Sequence, residues 1–163
     1  MAVITRTLGW TPQARPVRIA ALLELYERNF RLMQRLAPEL DLPFDAAISR
    51  SASDPALRLT VLERGPWTAT VQLTYAFGEG ADRRLEPDLR VRVYRDARLA
   101  EALNRPQRPG WLAAGEGESE AMRYLDEQWS RNLLLHKWLQ YLLDQGHGFS
   151  MAARPRLAAG VTA

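Results

Sequence analysis

A chain of 163 residues, 47% hydrophobic and 25% charged, has the composition of one globular domain long enough to bury a core without staples. Its lack of cysteine excludes disulfides, thiolate nucleophiles, zinc ribbons and iron–sulfur clusters. Twenty-two basic residues against 19 acids leave only +3, and 21 of the 22 are arginine, a surplus that without a clustered basic face does not make a nucleic-acid binder.

Residues 1–15 mix arginine with apolar side chains, lack the continuous apolar centre of a signal peptide, and read as a flexible N-terminal segment. No run approaches the eighteen or so apolar residues of a membrane helix, so the expectation is a cytoplasmic protein with no membrane partner. From Val17 to about Ala37, Ile19, Leu22, Tyr26, Phe30 and Met33 recur at helical steps, with Leu25, Leu32 and Leu36 widening the stripe. Pro16 suits the start of this helix and Pro38 its end.

Strands follow. Leu57, Leu59 and Val61 alternate with Arg58, Thr60 and Leu62. Trp67, Ala69, Val71, Leu73, Tyr75 and Phe77 alternate with Thr68, Thr70, Gln72, Thr74 and Ala76, and Leu89, Val91 and Val93 with Arg90, Arg92 and Tyr94. Such alternation predicts strands with one buried and one wet face, the first two joined as a hairpin at Gly65-Pro66. A shorter strand is expected near Ala47–Ser51. After Asp96 two readings stay open: a helix over "ARLAEAL" capped by Asp96, or a turn and a further strand.

A proline- and glycine-rich loop leads to a second helix, expected to be capped by Ser119. Its stripe runs through Leu125, Trp129, Leu133, His136, Leu139 and Leu143, broadened by Leu135, Trp138 and Leu142, and ends at Gly146. Residues 150–163 lack periodicity and read as a tail, leaving 16–149 as a single domain. The fold class is α+β, a two-layer arrangement with an antiparallel sheet of about four strands packed on the N- and C-terminal helices.

No H-E-x-x-H, P-loop, G-x-G-x-x-G or G-x-S-x-G occurs, and the two histidines are too scattered for a metal site. His136 reads as a hydrogen-bonded core residue and His147 as a cap on the last helical carbonyls. No metal or cofactor is expected. The candidate ligand-binding residues lie on the wet sheet face and at the corner after it: Arg58, Arg90, Arg92 and Tyr94, with Glu63, Arg64, Asp96 and Glu101. Guanidinium forks among hydroxyls suit a small anion. The competing readings are a solvated face and an ion network of Glu63, Asp96 and Glu101 with Arg64 and Arg95.

Four blocks, "LLELYERNFRLMQRLAPEL", "LTVLERGPWTATV", "VRVYRDARLAEAL" and "YLDEQWSRNLLLHKWLQYLLDQG", stand in an order that resembles the YqiB-like family of uncharacterised bacterial proteins over about Pro16 to Gly146. On that resemblance Tyr26 to Phe30 matches a Cys-Glu-x-Asn-aromatic helix and Glu63 to Thr68 a Glu-x-x-Pro-Tyr-Thr hairpin. Asp126-Glu127, Asn132, Trp138-Leu139 and Tyr141 match the C-terminal helix. Arg95 stands where the family pattern has histidine, Gln128 where it has lysine, and Tyr26 where it has cysteine. Any use of that histidine as proton shuttle or metal ligand is closed to this chain, because arginine stays charged and binds no metal. The resemblance implies a nucleotide-related role without supplying an activity. The expectation is a non-catalytic domain that binds a small anion or a protein partner. The alternatives are a carboxylate enzyme acting on a nucleotide-like substrate and a homodimer or adaptor using Trp10, Trp111 and Phe149 as anchors.

Overall fold

The structure, a computed structural model, describes residues 14–76, 87–103 and 117–150. The expectations for the termini, for Phe77, for Trp10 and Trp111 and for the Ser119 side chain lie outside what it describes. Helix α1 spans Ala14–Leu36 and carries Pro16 in its first turn, where a missing N–H costs nothing. Strands β1 (Ala46–Ser49), β2 (Leu57–Arg64), β3 (Thr68–Tyr75), β4 (Asp88–Tyr94) and β5 (Leu99–Leu103) follow, and then helix α2 (Gly117–Asp144).

The strands form one antiparallel meander in the order β1-β2-β3-β4-β5. There are five strands rather than about four, because residues after Asp96 form β5 and not a helix. Four residues, Arg95–Arg98, turn the chain, and Arg98 takes a left-handed φ of 57° to close it.

Ala47, Leu57, Leu59, Ala69, Val71, Leu73, Val91, Val93, Ala100 and Ala102 line the inner face. Phe30, Met33 and Leu36 of α1 and Leu135, Trp138, Leu139 and Leu142 of α2 pack on it. The small Ala100 and Ala102 side chains let α1 lie close along β5. Phe149, expected at a surface, is instead buried in this core, held by its N–H donating to the Leu36 carbonyl at 2.7 Å.

Helix α2 is rotated from its expected stripe. Its buried line runs Gln128, Asn132, Leu135, Leu139 and Leu142, whereas Trp129 is exposed. The reason is polar. Asn132 Oδ1 accepts the edge-strand Ala102 N–H at 2.8 Å, and its Nδ2 donates to the Gln128 carbonyl at 2.8 Å. Asn29 of α1 donates to the Asn132 carbonyl at 3.2 Å and bonds His136 Nδ1 through its Oδ1 at 3.1 Å. Both asparagines are 0% exposed, so every bond in this chain replaces one to water.

At the C-terminus of α2, Gly146 (φ 84°) donates to the Leu143 carbonyl and His147 to that of Leu142, the paired bonds of a left-handed glycine stop. Among the described residues no helix is long and apolar enough to cross a membrane.

Candidate binding face

The face of the sheet opposite the helices carries no other described element. Its side chains follow from the register: Arg58 pairs with Thr74, Gln72 with Arg90, Thr70 with Arg92, and Arg92 with Glu101. Strict alternation would turn Glu63 inward beside Val61. A bulge between Val61 and Glu63 makes Leu62 an extra residue, so Glu63 pairs with Thr70 and Arg64 with Ala69. Glu63, Thr70, Arg92 and Glu101 therefore stand in one row across four strands.

Arg92 is fixed in that row. Its Nε donates to Thr70 Oγ1 at 3.1 Å and its Nη2 lies 3.8 Å from Glu63 Oε2. Glu101 Oε1 receives the Tyr94 hydroxyl at 2.7 Å, and its negative charge acts on the Tyr26 phenol of α1. Both phenols are held above their ordinary pKa, first by burial and then by this carboxylate, with Arg92 partly offsetting the shift at Tyr94. Arg58 and Arg90 are exposed.

The bulge sends Arg64 to the other side, where it donates to the Leu40 and Phe44 carbonyls and stacks on the Phe44 ring at 5.5 Å. Asp96 is exposed in the β4–β5 turn. Arg95 binds the neighbouring turn three times: Nη2 to the Gly65 and Pro66 carbonyls at 3.1 Å each, and its backbone N–H to Trp67 O at 2.8 Å. The arginines expected to pair with acids thus serve carbonyls, and Glu101 takes the Tyr94 hydroxyl. Trp67, expected on the inner face, sits in the turn closed by Gly65 N–H donating to Thr68 O, and is 65% exposed.

Of the eight expected residues, Arg58, Glu63, Arg90, Arg92, Tyr94 and Glu101 share this face, whereas Arg64 and Asp96 do not. Neither of two cavities in the molecule, of about 610 and 250 Å³, is lined by any of those six. Among the described residues no cluster of three His, Cys, Asp or Glu side chains could hold a metal ion.

One cluster escapes sequence reasoning. His147, 3% exposed, bonds Ser49 Oγ through Nδ1 at 3.0 Å and Asp54 Oδ2 through Nε2 at 2.9 Å. Tyr141 donates its hydroxyl to Asp54 Oδ1 at 3.0 Å. Serine, histidine and aspartate are the makings of an acyl-transfer relay. Here, however, Ser49 Oγ already accepts the Gly148 N–H at 2.9 Å. The N–H groups of Gly146, His147 and Phe149 are all given to carbonyls, which leaves no donor of this loop for an oxyanion. The cluster is a clasp joining the end of α2 to β1 and the loop after it. Only the residue types were visible in the chain, since His147 lies more than 90 positions from both partners.

Comparison with known proteins follows the same outline. The model of a family described as "Protein of unknown function (DUF1249)" matches residues 31–148. The protein named "Uncharacterized protein YqiB" from Escherichia coli strain K12 is 29% identical over 125 residues, covering 77% of this chain and 88% of that protein. Its counterpart in E. coli O157:H7 matches to the same extent. No solved structure matches.

Proposed function

For a chain that belongs to the DUF1249 family of proteins of unknown function, we propose a non-catalytic role: docking a protein partner on the uncovered face of the sheet. The observation that carries this reading is the in-register row Glu63, Thr70, Arg92, Glu101, with exposed Arg90 in the next row and exposed Arg58 beyond it on the same face. A row of both signs suits a complementary protein surface, where alternating charges fix register and exclude wrong partners. A small anion would meet Glu63 and Glu101 beside Arg92, and it lacks the concave walls that such ligands need. Exposed Leu62 and Trp67 lie at the Glu63 end of the row and exposed Ile48 beside Arg58 farther along the sheet, and they offer the apolar contact that interfaces place around arginine and tyrosine. Catalysis by paired carboxylates finds less support, because Glu101 already accepts the Tyr94 hydroxyl and Asp96 lies at an exposed turn.

The test is a photo-crosslinking residue placed at Gln72, at the centre of the face, in the full chain inside cells. One discrete adduct is expected, lost when Arg90 and Arg92 are both reversed to glutamate. An adduct that survives the reversal, or none at all, counts against the reading. A thermal-shift panel of nucleotides and phosphometabolites separates the small-anion version. A saturating anion at a hundred times its dissociation constant adds about 2.7 kcal/mol, and its loss in Arg92→Ala would reassign the face.

A further inference from the structure

The larger cavity, about 610 Å³, lies where the end of α1, the connector after it, β1 and the chain beyond Gly146 meet. Leu36, Ala37, Leu40, Phe44, Ala47 and Phe149 give it an apolar wall. Two further observations bear on what fills it. The first is where the described chain stops. Phe149 is anchored through its N–H to the Leu36 carbonyl at 2.7 Å, and Ser150, the last residue described, itself lines the cavity. The sequence continues Met151-Ala152-Ala153, so a methionine follows directly on a cavity residue. The second is the margin of β1. Asp45 accepts the Val61 N–H at 2.7 Å. In an alternating antiparallel ladder of this register, Ala47 and Ser49 then bond to β2, whereas Ile48 turns its N–H and C=O outward. Ile48 also lines the cavity, and no described residue bonds either group.

We infer that the chain's own residues 151–153 occupy this cavity, with the Met151 side chain against the apolar wall and the backbone after it bonded to the open Ile48 edge. Methionine suits such a place, because its unbranched, polarizable side chain fills irregular gaps. Ala152 and Ala153 carry little bulk, which lets a backbone approach the edge of a strand closely. The segment is joined covalently to a wall residue, so its docking is intramolecular, at an effective concentration on the order of millimolar. A free ligand or a second copy of the chain must first lose its translational and rotational freedom to compete. The cavity shares no residue with the row Glu63, Thr70, Arg92, Glu101, and the inference stands independently of partner docking.

The test uses the full chain with ¹³C-labelled methionine methyl groups, four in all, and Met151→Ala to assign the Met151 signal. Cross-relaxation from the Met151 methyl to the Phe44 and Phe149 rings is expected, with a methyl shift displaced from that of free methionine. Hydrogen exchange at the Ile48 amide should be at least about tenfold slower than in a chain truncated after Ser150, the effect of one hydrogen bond. The truncated chain keeps every described core residue, so unchanged β3 and β4 amide shifts certify its fold. A Met151 methyl at the free-methionine shift with no contact to either ring would overturn the inference and leave the cavity to another occupant. Contacts seen only between differently labelled chains in a mixed sample would overturn it in favour of a second copy. Equal Ile48 exchange in the full and truncated chains would remove the bond to the strand edge, and with it the proposed path of the segment.

Discussion

Asn132 does three things at one position: it caps the Ala102 N–H of the edge strand, bonds back to Gln128 and offers its own carbonyl to Asn29. Leucine has a similar shape and better helix propensity, yet it would strand a buried N–H. Asn132→Leu should cost about 1–3 kcal/mol, read as a lower urea midpoint at constant slope. His136 reports the same junction. Burial, and then the Arg28 charge, lower its pKa from the ordinary 6.5. Its folded form therefore binds fewer protons than the unfolded chain once the pH falls to about that value. Its contribution to stability is full above 6.5 and is lost as acid takes the pH down through the folded midpoint. An NMR titration of the His136 ring should give a midpoint below 6.5, and one at or above it would contradict the burial argument.

Between elements, two junctions carry the arrangement. The first is the bulge in β2. Deleting Leu62 removes the extra residue, so Glu63 should stay opposite Thr70 and Arg64 opposite Ala69, with Arg64 still on the Leu40 and Phe44 carbonyls. An unfolding midpoint in denaturant close to that of the parent chain is the expected result, and a large fall would show that the bulge itself holds the strand. The second is the clasp. His147→Ala leaves Asp54 without its imidazole and Ser49 without its ring partner. Hydrogen exchange at β1 should quicken by the equivalent of about 1–3 kcal/mol, while β3 and β4 keep their protection. Equal loss across the sheet would show that the clasp is not local.

These junctions mark where reading the chain stopped. Leu57, Leu59, Val71, Leu73, Val91 and Val93 announced the inner face, because period-two burial is a local signal. Gly146 announced the helix stop for the same reason. The bulge left no mark, since Thr60 to Arg64 reads the same with either register. Asn29 and Asn132 look like surface residues until their partners, 103 positions apart, come together. Arg90 and Arg92 were placed correctly by alternation. The bonds of Arg64, Arg95 and Glu101 were not, because the chain does not say which carbonyls or phenols the fold will bring near.

At the scale of the molecule, the two helices that close the core come from opposite ends of the sequence, with the sheet between them. Truncation after Leu103 would remove Leu135, Trp138, Leu139 and Leu142 from the core and expose Asn29 and the Ala102 amide at once. Such a fragment should show the poorly dispersed amide spectrum of a collapsed, unpacked chain, whereas the full chain should show a dispersed one. A well-dispersed fragment spectrum would mean that the sheet and α1 are self-sufficient.

The asparagine cap on Ala102 also gives the sheet a direction of growth. At the β5 margin one outward amide that could recruit another strand, that of Ala102, is already answered by a side chain, and α1 packs along the same strand, so addition there is hindered by both chemistry and bulk. The opposite margin, β1, is a ladder of four residues. Any incoming strand, native visitor or the first layer of an aggregate, must start on that short rung set, which is too brief to template a stack.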